Sequence, residues 1–399
     1  MARRILRHVP LGLGALAMAL GAALLLSNLL IVATGGGGMK LVPALDGVTQ
    51  PEKARFTLDG LLHGSYQAIY AKLIGTRLPL YPLAVRLRNQ VEYSLFGVAA
   101  IPSLMVGRGS SLIETAYAQE YCSRDIAAWQ PGAVRWAARI REMQDWTERR
   151  GKAFLYVLTP SKVAQYPDIL PRGYSCPASV HDRTALVPAW LKIVHAAGIH
   201  VADTVAALTQ AHEAYPFPLY PPGGIHWNQV GAAIAAQAVL AQLDALMPAQ
   251  GLAPLKFTWQ MTKHPSGTDV DIAKLMNLFV LPGDVPVPVV AVQPSPPPQP
   301  CPKLHAVIVG GSFGHAIGDF LSATPCRVSV VEYEYWHNYT LKWTHNVMTI
   351  DPTVDAASRD ADVLGADILI YEENEQVLGH SNHGQALWQL LSERAAGAG

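Results

Sequence analysis

Short apolar runs alternate with helix-like segments through most of the chain, and this alternation restricts the fold more than any other feature. Phe154 to Leu158 is a continuous apolar run of strand length. Further segments follow it at 184–197, 199–201, 228–246, 304–309, 314–322, 327–332, 367–371 and 384–393. Such alternation is typical of a mostly parallel sheet with helices on both faces, so we predict an α/β fold.

The N-terminus carries a second strong signal. Three of the first seven residues are arginines, and an uncharged, mostly apolar run follows them from Val9 to Thr34. At about 1.5 Å per residue, a helix of this length can cross a hydrocarbon core of about 30 Å. A cleaved signal peptide is the competing interpretation, but its apolar core is usually only about 7 to 15 residues long. We therefore predict a membrane anchor and exit over 1–38 and an extracytoplasmic domain over 39–399.

Charge and motif content exclude several classes of function. The 30 lysines and arginines balance 30 aspartates and glutamates, so no general attraction to nucleic acid is expected. The sequence has no phosphate-binding loop pattern, and its histidines lack the spacing of metal ligands. We predict neither a cofactor nor a metal ion.

A proline-rich stretch interrupts the alternation between Pro282 and Pro302. Proline cannot donate a hydrogen bond to a sheet, and several prolines lie close together here. Because the strand pattern resumes directly afterwards, we predict a surface insertion within one domain.

Four cysteines suit an oxidising compartment, and three pairings are possible in principle. Cys301 and Cys326 each lie a few residues before an apolar run. If those runs are neighbouring parallel strands, both cysteines lie at the same end of the sheet, within bridging distance. We therefore predict the pairs Cys301–Cys326 and Cys122–Cys176.

The segment from Val307 to His315 has the pattern of a nucleophile at a strand-to-helix turn. An apolar run ends in Gly310, Gly311 and Ser312 before a helix-like segment begins. Glycines allow a tight bend, and a serine at such a turn presents its hydroxyl above the sheet. The alternative is an ordinary strand-to-helix turn in which Ser312 caps the helix.

A second candidate segment contains His226 in a glycine-containing loop just before a predicted helix. A histidine there can project into the same cleft as a serine from another strand end and act as its general base. The alternative is a structural histidine, with Asn228 capping the helix and Trp227 packing beside it.

Aromatic residues follow a predicted strand, at the edge where open α/β sheets bind ligands. They include Tyr335, Trp336 and Tyr339, with His337 between them. Aromatic faces stack on sugar rings, and histidine can hydrogen-bond sugar hydroxyls. The alternative is that several of these rings pack in the core.

Several short motifs in a fixed order resemble the alginate O-acetyltransferase-like branch of the SGNH hydrolases. The resemblance spans Phe56 to Gln376. It rests on His226-Trp227-Asn228 with Gly231-Ala232, on Ser312 after its strand, on Pro160-x-Lys162 with Tyr166-Pro167 and Leu170-Pro171, on Gly107-x-Gly109, and on Ile370-Tyr371-Glu372-x-Asn374-Glu375.

The resemblance implies a protein of the inner membrane, with its main domain in the periplasm, that acetylates a secreted polysaccharide beside a membrane-bound O-acyltransferase. Ser312 would be the nucleophile and His226 the base. Oxyanion and supporting contacts would come from Gly311, Phe313, Asn374 and Gly224. Trp227 and the aromatic segment would bind the sugar.

The chain departs from the family at two positions. The residue before the serine is often an aspartate in the family, where this chain has Gly311. The other departure has a direct chemical consequence. The family usually has an aspartate two residues before the histidine, where this chain has Gly224. A carbonyl of Gly223 or Gly224, or a carboxylate such as Asp203, is a candidate replacement. The alternatives to an acetyltransferase are an inactive polysaccharide-binding or scaffolding subunit and a polysaccharide acetyl esterase.

Overall fold

A computed structural model describes residues 2–34, 42–48, 56–177, 183–252, 254–281, 285–293, 303–324, 328–344 and 347–396. The chain divides into two compact units. The smaller unit is Met1–Pro102 with Ala273–Leu281, and the larger unit is Ser103–Ile272 with Pro282–Gly399.

The α-helices of the described residues are Ala2–Ala33 (α1), Leu58–Leu62 (α2), Ser65–Arg77 (α3), Tyr81–Phe96 (α4), Thr115–Ser123 (α5), Ile126–Glu148 (α6), Lys162–Gln165 (α7), Leu186–Ala196 (α8), Thr204–Ala211 (α9), Gln229–Leu246 (α10), Asp271–Leu275 (α11), Gly314–Ser322 (α12), Ala356–Gly365 (α13) and Asn382–Ala396 (α14). The strands are Leu104–Val106 (β1), Leu112–Glu114 (β2), Ala153–Thr159 (β3), Val201–Asp203 (β4), Phe257–Thr262 (β5), Val287–Val292 (β6), His305–Gly310 (β7), Ser329–Glu334 (β8), Thr340–Thr344 (β9), Val347–Asp351 (β10) and Ile368–Asn374 (β11).

A seven-stranded sheet forms the centre of the larger unit, in the order β10-β9-β8-β7-β11-β3-β4. The five strands from β8 to β4 are parallel, whereas β9 and β10 are antiparallel to their neighbours. Five residues connect β8 to β9, and a connection this short allows only antiparallel pairing. The predicted α/β class is confirmed, with a mixed sheet.

Alternate residues of each central strand enter opposite hydrophobic layers, as expected for a sheet that is covered on both faces. Leu155 and Val157 of β3 pack in one layer with α10 and α12, which contribute Val239 and Ile317. Phe154 and its alternate neighbours Tyr156 and Leu158 pack in the other layer, with α6, α8 and α14. The helices therefore enclose the parallel strands and leave the strand ends accessible.

Part of the stretch 282–302, predicted as a proline-rich surface insertion, forms a strand. Val287–Val292 forms strand β6, which pairs in antiparallel register with β5 (Phe257–Thr262), and Pro288 lies opposite Met261. A two-stranded ribbon tolerates proline because the free edge of the strand needs no donor. Residues 282–284 and 294–302 lie outside the described residues.

The smaller unit contains α1 to α4. Helix α1 (Ala2–Ala33) covers nearly all of the predicted apolar run, and its stretch Met18–Ile31 is a short apolar helix by composition. Among the described residues, α10 alone meets the length and hydropathy of a membrane span, and half of it is buried within the protein.

One of the two predicted disulfides is confirmed. Cys122 of α5 is bonded to Cys176, with a Cα–Cα distance of 4.8 Å and a sequence separation of 54. Cys301 and Cys326 lie outside the described residues.

We expect that replacing both Cys122 and Cys176 by serine lowers the free energy of unfolding by about 2–4 kcal/mol, because a closed loop of this length restricts the unfolded chain. Urea denaturation of oxidised and reduced protein measures the difference. Reduced wild-type protein is the control, and it should unfold at the same urea concentration as the double variant. Equal stability of the oxidised protein and the variant would contradict the expectation.

Candidate active site

Ser312 lies in the turn between β7 and α12, at the carboxyl edge of the parallel strands. Glu372, a fully buried residue of the neighbouring strand β11, holds this turn. Its Oε2 accepts a hydrogen bond from the Gly311 amide at 2.6 Å, and its Oε1 accepts one from Thr159 Oγ1. Burial raises the pKa of Glu372, while these two donors oppose the rise. The carboxylate therefore ties the serine turn to the sheet.

His226 reaches Ser312 from the loop before α10. Its Nε2 lies 2.7 Å from Ser312 Oγ, so the hydroxyl can donate its proton directly to the ring. The ring packs beside Phe313, with a centroid distance of 4.7 Å. The structure thus brings together the two side chains proposed from sequence, although 86 positions separate them along the chain.

Asp271, the first residue of α11, completes the arrangement. Its Oδ2 lies 2.5 Å from His226 Nδ1, and its Oδ1 accepts hydrogen bonds from the amides of Ile225 and Ile272. Because an ionised carboxylate only accepts, it requires a proton on Nδ1 and leaves the Nε2 lone pair facing the serine. Ser312, His226 and Asp271 therefore have the geometry of a nucleophile, a base and an orienting acid.

The sequence reasoning missed Asp271. It considered Asp203 and the carbonyls of Gly223 and Gly224 as partners of the histidine. Asp203 instead caps α9 by accepting from the Ala206 amide. At Gly224, an added Cβ would lie 1.9 Å from the Thr268 carbonyl oxygen, so this position has no room for an aspartate. Asp271 follows His226 by 45 residues, and no local motif marks it.

Lys162 is buried beneath the histidine loop, not exposed at a surface turn. Its ammonium group donates to four carbonyl oxygens at 2.7–3.1 Å, those of Leu112, Pro221, Pro222 and Gly224. Burial lowers the pKa of Lys162 to about 7, while the nearby Asp271 carboxylate favours the charged form. The lysine clamps the loop that carries His226 to strand β2.

Three of the residues predicted to bind or support the oxyanion make hydrogen bonds to other protein groups. The Gly311 amide donates to Glu372, and the Gly224 carbonyl accepts from Lys162. The Asn374 side chain donates to the Pro160 carbonyl at 3.0 Å and accepts from the Gln376 amide. These contacts shape the backbone around the cleft and occupy the donor groups of Gly311 and Asn374.

Tyr335 lies over the serine. Its hydroxyl is 3.3 Å from Ser312 Oγ, and an added Cβ on Gly311 would come within 3.1 Å of its ring. Burial raises the pKa of Tyr335, while its hydrogen bonds with the Ser312 side chain and backbone oppose the rise. Tyr335 and Trp336 both have positive φ, 48° and 60°, which costs a bulky residue about 1–3 kcal/mol. Strain of this kind is concentrated at functional sites.

An aromatic row extends from Tyr335. The rings of Tyr335 and His337 are 5.9 Å apart, those of His337 and Tyr339 are 5.3 Å apart, and the Tyr339 hydroxyl bonds to Glu334. This aromatic row is the part of the predicted sugar-binding segment that reaches the serine.

Two aromatic residues that were predicted to bind substrate lie elsewhere. Trp227 is 1% exposed and packs edge-on against Phe313, at a centroid distance of 5.0 Å. Trp336 is half-buried against the layer of α6 and α14, beneath the Arg359 guanidinium. The Trp227 ring is covered by protein, and the Trp336 ring is partly covered.

Comparison with known proteins gives one family match and several similar folds. Residues 121–315 match the family model described as the SGNH hydrolase-like domain of the acetyltransferase AlgX. The O-acetyltransferase domain of Pseudomonas putida AlgJ is 19% identical, with 74% of this chain and 100% of that chain covered and a TM-score of 0.47. Pseudomonas aeruginosa AlgX is 15% identical, covering 72% and 67%, with a TM-score of 0.46. Bacillus cereus PatB1 is 10% identical, covering 63% and 92%, with a TM-score of 0.39. No curated protein matches the sequence.

The matched segment contains Ser312, His226 and Asp271, as well as both cysteines of the disulfide. Residues 121–315 are thus similar to the SGNH hydrolase-like domain of the acetyltransferase AlgX, which confirms the resemblance found in the sequence over this part of the chain.

Proposed function

We propose that the protein is an O-acetyltransferase that acts on a secreted polysaccharide through an acetyl-serine intermediate. The observation that carries the proposal is the continuous hydrogen-bonded line from Asp271 through His226 to Ser312. A family member that had become a pure binding module would have no need to keep three such groups aligned.

In the first step, His226 Nε2 takes the proton of Ser312 as Oγ attacks the carbonyl carbon of the acetyl donor. The Asp271 carboxylate holds the ring and stabilises the imidazolium that forms. The bond between the acetyl carbon and the donor then breaks, and His226 returns the proton to the departing group. Ser312 now carries the acetyl ester.

In the second step, a sugar hydroxyl takes the place of the donor. His226 removes its proton while its oxygen attacks the acetyl carbon of the ester. The bond to Ser312 Oγ breaks, and His226 reprotonates the serine. The polysaccharide leaves with one acetyl group, and the three side chains return to their starting state.

Both steps pass through an oxyanion. In this proposal the Tyr335 hydroxyl, which lies 3.3 Å from Ser312 Oγ, donates to the oxyanion. Preorganised donors of this kind stabilise charge that develops only in the transition state. The Tyr335 backbone strain therefore has a use, because it aims the hydroxyl at the reacting centre.

The aromatic row of Tyr335, His337 and Tyr339 supports a polysaccharide acceptor, since rings and hydroxyls in a line suit successive sugars. We propose that the reaction takes place in the periplasm, as the resemblance to the alginate O-acetyltransferase-like proteins implies. In this proposal, α1 anchors the chain in the inner membrane, and a membrane-bound O-acyltransferase supplies the acetyl group.

The first test is capture of the intermediate. After incubation with p-nitrophenyl acetate, we expect mass spectrometry to find an acetyl group on Ser312. Ser312→Ala should show no adduct and should lower transfer to polysaccharide by about 10⁴- to 10⁶-fold. Ser322→Ala, at the far end of α12, is the control and should behave as wild type. Full polymer acetylation by a folded Ser312→Ala protein would refute the mechanism, and release of acetate without transfer would indicate an esterase.

A second test concerns the orienting acid. We expect Asp271→Asn to lower kcat by about 10³- to 10⁴-fold, because an amide can hold the imidazole in the wrong tautomer. Asp203→Asn is the matched control, since Asp203 caps α9 and has no contact with His226. Equal kcat values for the two variants would show that Asp271 does not orient the base.

A third test concerns Lys162. We expect Lys162→Met to lower kcat by about 10- to 100-fold with little change in KM for the acetyl donor, since His226 loses its fixed position. Lys152→Met is the matched control, because that lysine forms a half-exposed pair with Asp367. A folded Lys162→Met protein with wild-type kcat would rule out the positioning role.

A further inference from the structure

Helix α4 (Tyr81–Phe96) has its polar and apolar faces in the reverse of the usual arrangement. Its buried side chains include Arg86 and Asn89, which donate to backbone carbonyls of the same unit: Arg86 to Ala44 and Leu278, and Asn89 to Met276. Its exposed side chains include an apolar stripe. A helix in water normally buries its apolar face and exposes its polar one, so this arrangement suits a different solvent.

The stripe is formed by Leu87, Val91 and Leu95, which recur every four residues on one side of the helix. Phe96 extends it and, like Leu95, is 71% exposed. We call these four residues the apolar face. Large apolar groups in a contiguous exposed row indicate a surface that binds another apolar phase.

The apolar face continues beyond the helix. Gln90 Oε1 accepts hydrogen bonds from the amides of Phe279 and Val280, which holds this segment beside α4. Both side chains are exposed. In the same unit, α2 exposes Leu58 and Leu62. The exposed apolar surface is therefore a general property of this unit.

The start of α4 is fixed to α1. Asn28, which is 4% exposed, accepts a hydrogen bond from the Leu80 amide at 2.7 Å and donates to the Leu24 carbonyl. Asn28 lies five residues before the end of α1 at Ala33, which is about 8 Å along a helix. If α1 spans a bilayer, the start of α4 lies about 8 Å inside the end of that span.

We propose that α4 is an interfacial helix, whose apolar face and the adjoining Phe279 and Val280 insert into the phospholipid bilayer in which α1 is anchored. Interfacial helices bury their apolar side about 5–10 Å into the boundary between headgroups and acyl chains, and this matches the level set by Asn28. The exposed pair of Arg88 and Glu92 flanks the stripe and can remain among the headgroups. The inference rests on the membrane anchor in the proposed function but does not depend on catalysis.

The test uses the full-length protein in phosphatidylethanolamine and phosphatidylglycerol vesicles that contain a phospholipid with a diazirine on its acyl chain. After photolysis, mass spectrometry locates the adducts. We expect adducts on α1 and on residues 81–98. In the triple variant Leu87→Gln, Val91→Gln, Leu95→Gln, we expect the amount of label on α4 to fall at least about tenfold and the label on α1 to stay the same. Glutamine preserves the helix but removes the apolar stripe.

The matched control is Arg88→Gln with Glu92→Gln, which alters the polar flank and should leave the labelling of α4 intact. Labelled α1 with unlabelled α4 in the wild type would overturn the inference and indicate that a protein partner covers the apolar face. Undiminished labelling of α4 in the triple glutamine variant would also overturn it. An unlabelled α1 would reject the anchor itself, and the interfacial helix with it.

Discussion

The hydrogen bond between Asp271 and His226 is the contact on which the chemistry of the site depends. Without a carboxylate at Nδ1, the neutral imidazole can carry its proton on either nitrogen, and only the tautomer with the proton on Nδ1 can accept the serine proton at Nε2. Asp271 also accepts from the Ile225 and Ile272 amides, so the same group that selects the tautomer fixes the backbone on both sides. The carboxylate is held at the start of α11 while the histidine precedes α10, and the site exists only when both helices are in place.

A series of buried hydrogen bonds connects the central sheet to the loop that carries His226. On β11, Glu372 bonds to Thr159 and Asn374 to the Pro160 carbonyl, and Glu375, just after the strand, bonds to the Ser161 amide. These contacts fix the turn after β3. The next residue of that turn is Lys162, whose ammonium holds the loop before His226. The motifs Pro160-x-Lys162 and Glu372-x-Asn374-Glu375 therefore form one connected support beneath the cleft.

Burying these charges is costly unless each one is well paired, and that cost explains their precise geometry. Lys162 has four carbonyl partners, and Glu372 has two donors. Arg124 pairs with Glu120 and Glu375 close to the disulfide. A buried ion network adds little net stability on average, but it tolerates few alternative arrangements, and this selectivity suits the base of an active site.

The sequence by itself predicted the α/β class, most of the strands and helices, the pairing of Cys122 with Cys176, and Ser312 and His226 as candidate site residues. These features follow from local periodicity and turn chemistry, which act over a few residues. Only the tertiary structure decided which carboxylate serves the histidine, because Asp271 is brought to it by a long excursion of the chain that no spacing rule describes. It also decided which aromatic residues reach the site. Trp227 and Tyr335 are equal candidates in sequence, but Trp227 is buried and the Tyr335 hydroxyl lies beside Ser312. In each of these cases the deciding contact joins residues that are remote in sequence, and only the folded backbone brings such residues together.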